Sequence, residues 1–232
     1  MPGAPQTAPA LLAARLRADP ATPLVTYYDD ATGERTELSA ATFDNWVAKT
    51  ANLLVDGIGT GRGDRAVVAL PLHWQALVVV AGCWAAGLTV AFEGPGEVGF
   101  AAGGDPRPDA DDTVVLSLRP LGAGLTTPEP DVTDYAVEVR AYGDRFTGAG
   151  PTADDEALPG VSHRTLSAGA GSDARVLLAP AGDPPLDAGW LRRAYLDPLA
   201  GRGSVVLCRH LDRALLARRL ASERAVPPPA EM

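Results

Sequence analysis

The sequence predicts an α/β fold with mostly parallel β-sheets flanked by helices, and three observations lead there. Short apolar runs at residues 65–70 (RAVVAL), 88–92 (LTVAF), 113–118 (TVVLSL), 174–179 (ARVLLA) and 204–208 (SVVLC) alternate with segments of helical periodicity. These runs have almost no polar face, as strands covered on both sides require. The chain of 232 residues, 46% hydrophobic and 21% charged, is also long enough to bury a sizeable core.

The elements follow in order. Residues 11–18 (LLAARLRA) read as a short amphipathic helix ended by Pro20. Residues 24–29 and 35–38 flank a loop containing Gly33, which gives a β-hairpin. Ser39 supplies an N-cap for a helix with Phe43, Val47, Ala51 and Leu54 on one face, and Gly57 is expected to close it. The strand over 65–70, a helix over about 73–86, and the strand over 88–92 form one strand–helix–strand unit. Residues 93–112, rich in glycine, proline and aspartate, read as an exposed connection before the strand at 113–118. A weakly periodic helix is expected over 133–142 and a loop over 147–160. Then come a short helix at 162–170, the strand at 174–179, a helix at 188–199 capped by Asp187, and the strand at 204–208. A last helix over 213–224 is capped by Asp212, with Leu211 placed to staple against Leu216. The expected organisation is a single domain over 1–226, with sub-layers at about 20–145 and 160–226 and a disordered tail at 227–232.

Composition excludes several classes. A net charge of −9 argues against nucleic acid or an anionic membrane as partner. Cys83 and Cys208 sit in separate apolar runs, which fits neither a disulfide scaffold nor a thiolate metal cluster. The start of the chain lacks the pattern of a secretory signal, so a cytoplasmic location is expected. Residues 73–92 carry no acid, lysine or arginine across a length that could span a bilayer. Gly87, the β-leaning residues after it and the absence of flanking basic clusters favour a buried helix feeding a buried strand. Of 20 basic residues only Lys49 is lysine, which limits any chemistry that depends on an amine.

The candidate motifs each have a plainer reading. GIGTGRGD at 57–64 is glycine-rich, but a helix precedes it and a strand follows, the reverse of a phosphate cradle. A structural turn is the reading preferred. Ser162 and His163 are adjacent and do not face each other on a helix, so they form no nucleophile–base pair; a helix-start serine with a partly exposed histidine is expected. His73 and His210 have no second ligand at metal spacing, and no metal site is expected. Asp154, Asp155 and Glu156 read as a solvated acidic loop rather than a cation site. Arg213, Arg218, Arg219 and Arg224 give the last helix a basic, solvated face that could serve as a partner surface.

Taken together, residues 24–92 resemble the opening of the adenylate-forming enzymes, the superfamily of acyl-CoA synthetases, luciferases and peptide adenylation domains. The hairpin, the ELSAATFDNWVAKTANLL helix, GTGRGDRAVVALP and the apolar HWQALVVVAGCWAAGLTVAF unit follow in that family's order. VSHRTL at 161–166 resembles the segment just after the family's phosphate loop, and ARVLLAP through GSVVLC resembles its next sheet-and-helix unit. The chain also resembles truncated members of the superfamily among actinobacterial sequences.

That resemblance implies a Ser/Thr/Gly-rich loop ending in proline-lysine-glycine between Phe146 and Val161. The interval reads TGAGPTADDEALPG, with Thr147, Gly148 and Gly150 as a thin remnant and no lysine. The family's later motifs, including the adenylation lysine, do not follow, and Lys49 on the early helix cannot replace it. The expectation is therefore an acyl-CoA synthetase-like pseudoenzyme without catalytic residues or cofactor, acting as an interaction or regulatory protein. The alternatives are binding of an acyl, nucleotide (ATP or AMP) or CoA ligand without turnover, or half of a split ligase. Since the parent fold packs its early sheets against parts not found here, an apolar surface is expected that either the loops at 93–112 and 121–131 or a second chain must cover, with a homo-oligomer or protein partner placed ahead.

Overall fold

The computed structural model describes residues 6–168, 171–182 and 186–227. The last two residues of the helix expected over 162–170, and residues 228–232 of the expected tail, lie outside them.

Thr7 caps α1 (Ala8–Ala18), which begins three residues earlier than its apolar pattern suggests. The hairpin is β1 (Pro23–Asp29) and β2 (Glu34–Ser39). The Ser39 hydroxyl accepts from the Thr42 amide and starts α2 (Ala40–Asn52), whose Phe43, Val47 and Ala51 are buried as expected. The helix does not stop at Gly57. It widens into a π turn over Leu53–Ile58, where Tyr142 presses against Gly57 too closely for a Cβ, and Gly59 closes it at φ 90°. The first glycine makes room and the second makes the turn.

After β3 (Arg65–Ala69), His73 caps α3 (Trp74–Ala85) through Nδ1, which accepts from the Gln75 amide at 3.1 Å. Every α3 residue from Trp74 to Trp84 is buried, which explains the missing polar face. Then follow β4 (Thr89–Ala91), β5 (Gly96–Ala102), β6 (Ala110–Leu116), β7 (Thr133–Asp134) and α4 (Tyr135–Glu138). A hairpin of β8 (Glu156–Leu158) and β9 (Val161–Ser162) leads into α5 (His163–Ser167) and β10 (Arg175–Leu178). Asp187 caps α6 (Ala188–Leu191), which runs through a π turn at Arg192–Leu196 into α7 (Asp197–Ala200). The chain ends with β11 (Ser204–Arg209), a 3₁₀ turn capped by Asp212, and α8 (Leu216–Glu223).

The strands form two main sheets. One has the order β10-β11-β1-β2, with β10, β11 and β1 parallel and β2 antiparallel. The other, β4-β3-β5-β6-β7, is parallel throughout. The first sheet joins both ends of the chain, placing Val25 beside Val205 and Val205 beside Val176, so its pairing crosses the expected sub-layer division. The helices α2 and α3 pack together; α2 rests on β1 and β2, while α3 reaches β1 on one side and β3 and β4 on the other. The main apolar core runs from α1 through both sheets. Among the described residues no helix is long and apolar enough to cross a membrane.

Three expectations need correction. Residues 93–112 are not an exposed connection: β5 lies between β3 and β6, with Val98 and Phe100 fully buried. The loop over 147–160 ends in β8, and the helix over 133–142 is reduced to β7, one turn of α4 and a 3₁₀ turn. Of the two ways to cover the apolar surface, loop and helix coverage is the one seen: among the described residues no broad apolar face is left open. Among the described residues only Val137 and Val226 are exposed large hydrophobics. On the outer face of the first sheet, Leu177, Val206 and Cys208 are covered by Leu211, Leu216, Leu220 and Ala225. On the second sheet, the outward side chains of β3, β5 and β6 are small (Val67, Ala101, Val115) and buried, and the β5–β6 connection lays Pro108 against Gly99. A loop suffices where a helix would otherwise be required.

Candidate functional site

The resemblance directs attention first to the segment between Phe146 and Val161. Thr147, Gly148 and Gly150 lie exposed in irregular backbone. Residues 158–161, at the end of that interval, form the tight turn between β8 and β9, with Gly160 at φ 72°. The acids that follow the glycines are not simply solvated. Asp155 receives two hydrogen bonds of 2.8 Å from the Arg62 guanidinium and one of 2.7 Å from the Thr152 amide. This pairing, with Arg62 as the leading cause, holds the Asp155 carboxyl down at about 2. Asp154 pairs with Arg164 at 2.9 Å, and the Arg164 guanidinium also donates to Gln6. Glu156 lies in β8, with its carbonyl accepting from the Thr89 hydroxyl. The acidic stretch is thus a clamp fastening this segment to the 57–64 turn and to α5. Replacing Arg62 with alanine should leave the fold intact yet expose the 147–156 segment to limited proteolysis many times faster than in the parent chain. An unchanged cleavage rate would show that the clamp is not what holds it.

The histidines separate into distinct environments. Ser162 caps α5 by accepting from the Thr165 amide. His163 is fully buried, not partly exposed, with its ring edge-on to Trp84 at 5.9 Å and neither ring nitrogen hydrogen-bonded. Burial pushes it down to about 4, against an opposing effect of the Asp155 charge. His73 is also fully buried, 4.4 Å from the Tyr27 ring, and burial with the nearby Arg209 charge pushes it down to about 3. Both are neutral at pH 7.

His210 differs. It sits just beyond β11 at φ 50°, half-exposed, with Nδ1 2.9 Å from the buried Asp29 Oδ1 at the end of β1. Asp30 beside it takes both arms of Arg219, at 2.7 and 3.0 Å, and accepts from the Asp212 amide. Beneath α8, Glu223 binds Arg175 at 2.6 Å and also engages Tyr28. Of the four arginines expected to form a solvated face, Arg219 is therefore committed to anchoring the helix and lies over the Tyr28 ring at 4.2 Å. The Asp29–His210 pair was hidden in the sequence because its members are 181 residues apart.

The remaining chemistry-bearing side chains have structural tasks. Lys49 donates to the Tyr142 carbonyl at 2.5 Å, which ties α2 to the segment after α4. Cys83 and Cys208 are buried, and burial pushes the Cys208 thiol up to about 11. Among the described residues no group of His, Cys, Asp and Glu is placed to hold a metal ion.

No family model matches the sequence. A TIGR03089 family protein of Mycobacterium tuberculosis (strain ATCC 25618 / H37Rv) is 38% identical over 235 residues, covering 93% of this chain and 94% of that protein. Among solved structures, an acyl-CoA synthetase of Brucella canis aligns with a TM-score of 0.76 at 17% identity, over 97% of this chain and 48% of the other. A fatty acyl CoA synthetase of Mycobacterium tuberculosis aligns with a TM-score of 0.66 at 13% identity, over 95% of this chain and again 48% of the other. The chain therefore belongs to the family of the mycobacterial TIGR03089 protein, and its fold is that of an acyl-CoA synthetase, of which it spans about half the length.

Proposed function

We propose that this acyl-CoA synthetase-like chain does not adenylate carboxylic acids by itself and serves instead as an interaction or regulatory protein. The observation that carries the reading is the Arg62–Asp155 clamp at the place where the family resemblance puts a lysine-bearing phosphate loop. Adenylation requires positive charge fixed against the triphosphate throughout the reaction. Here Arg62 and Arg164 are already committed to Asp155 and Asp154, so neither guanidinium is free to meet an incoming phosphate. Thr147 remains a candidate nucleotide contact through its hydroxyl, and Gly148 and Gly150 through their backbone amides.

The purified chain should give no ATP–pyrophosphate exchange above background with short-, medium- or long-chain carboxylic acids. Exchange by the chain alone that is lost on Thr147→Ala would overturn the reading. Exchange that arises only on adding a second polypeptide would replace it with half of a split ligase. Retained binding of ATP, AMP or CoA without exchange would favour a ligand-binding role over a purely protein-directed one.

A further inference from the structure

A pocket of about 570 Å³ lies away from the 147–160 segment, between the last turns of α1 and the turn that follows α7. Its wall is apolar along Leu11, Ala14 and Leu199. Into this wall the sequence places Arg15, which is only 4% exposed. Its Nε has no hydrogen-bond partner, and among the described residues its guanidinium takes part in no ion pair. Every other strongly buried cation described above is held: Arg219 by Asp30 and Arg175 by Glu223. A guanidinium whose Nε is buried without an acceptor is costly to keep, so such a group is ordinarily matched by an anion.

The surrounding charges refine the picture. Arg202 lines the same pocket from the turn after α7. The two carboxylates at the rim are occupied elsewhere: Asp173 accepts from the Arg202 amide at 2.9 Å, and Asp19 accepts from the Thr22 amide and hydroxyl. The charge of Arg15 acts on Asp19 through space, but among the described residues neither carboxylate comes within ion-pair distance of it. Placing Arg15 near the C-terminus of α1 favours the helix dipole, but an exposed arginine would do that equally well.

We infer that this pocket is a binding site for a small carboxylate with an apolar body, its carboxylate held by Arg15 and its body laid along Leu11, Ala14 and Leu199. The planar fork of a guanidinium matches a carboxylate through two parallel hydrogen bonds. The apolar wall distinguishes such a ligand from bare phosphate, which would leave the methyl groups of Ala14, Ala18 and Ala200 facing water. This goes beyond the function proposed above, because it requires neither the 147–160 segment nor any reaction, and it stands whether or not the chain adenylates.

The test uses the full chain with hexanoate, inorganic phosphate and hexylamine as probes, in thermal-shift titrations and isothermal calorimetry at constant ionic strength. Hexanoate should raise the melting temperature in a saturable way, phosphate should do so more weakly, and hexylamine should have no effect. Arg15→Met keeps the length and apolar stem while removing the charge. Without ligand it should melt at or above the parent temperature, because it relieves an unpaired buried charge, and it should bind hexanoate about 10- to 100-fold more weakly. Arg15→Lys should lose much of the affinity while keeping the charge. Hexanoate shifts equal in parent and Arg15→Met would overturn the proposal, as would no shift with any probe. An Arg15→Met chain that melts well below the parent, with no hexanoate effect in either, would make Arg15 a structural residue. Phosphate binding as tightly as hexanoate would overturn the assignment of an apolar body.

Discussion

Lowering the pH from 7 to 5 should remove about 4 kcal/mol of folding stability through His73 and His163 alone. In the unfolded chain each imidazole titrates near 6.5, whereas burial holds His73 down to about 3 and His163 to about 4. The sign follows directly. Below pH 6.5 the unfolded chain binds protons that the fold refuses, so stability is fully present above 6.5 and falls as pH drops. The loss is about 1.4 kcal/mol per pH unit for each histidine, and it levels off as the folded-state values are reached. Asp155 acts in a different window. Its carboxyl is lowered to about 2 by Arg62, so its contribution is present above the ordinary aspartate value near 3.8 and is lost only below it. Urea unfolding at pH 7, 6 and 5 measures the histidine effect, and His163→Gln should halve its slope. An unchanged slope in that variant would mean that His163 is already protonated in the fold.

The strands most legible in the sequence are those whose apolar runs are continuous. The runs at 65–70, 88–92, 113–118, 174–179 and 204–208 all become strands, because parallel strands buried on two faces need no polar alternation. The caps were equally readable: Ser39, Ser162, Asp187 and Asp212 each accept from a backbone amide of the first turn. What escaped was β5. Its sequence GEVGFAA presents only Val98 and Phe100 as large apolar residues, on the face turned to the core. Its other face carries Glu97 and then the small Gly99 and Ala101, which a loop crosses, and small residues flanked by Gly94, Pro95 and Asp105 look like a connection. Local pattern cannot distinguish a strand covered closely by backbone from a loop.

The candidate site was less legible than the fold for a related reason. The missing lysine could be read directly from residues 147–160, since it depends on residue identity alone. The clamp depends on Arg62 meeting Asp155 across 93 residues, and Arg62 stands in a turn whose glycines attract more attention than its guanidinium. His163 offered no sign of burial either, because its partner Trp84 lies on α3. Arg15, in a pattern of alanines and leucines, looks like the polar side of an amphipathic helix until α7 closes over it. Each of these is a property of chain segments that meet only after folding.

Trp84→Ala should be among the most damaging single substitutions, costing about 4 kcal/mol by loss of a fully buried aromatic side chain. Three contacts explain the size of the effect. The Trp84 ring stacks on Tyr195 at 6.2 Å, meets the edge of His163 at 5.9 Å, and donates its Nε1 proton to the Ala157 carbonyl at 2.8 Å. One side chain of α3 therefore touches the α6–α7 unit, α5 and the β8–β9 hairpin. Trp84→Phe separates the contributions. It retains most of the stacking area but leaves the Ala157 carbonyl without its donor, at a cost of about 1–3 kcal/mol. The two variants should also differ in where the damage falls. In Trp84→Phe, amide exchange should rise first in the β8–β9 hairpin and the adjoining 147–155 segment, with β3 and β11 protected as in the parent. Trp84→Ala should lower protection throughout, since the core shared by both sheets loses its filling. Equal protection of the hairpin in Trp84→Phe and the parent would show that the Arg62–Asp155 clamp and the β8–β9 pairing hold that segment without help from Trp84, leaving the tryptophan a packing residue alone.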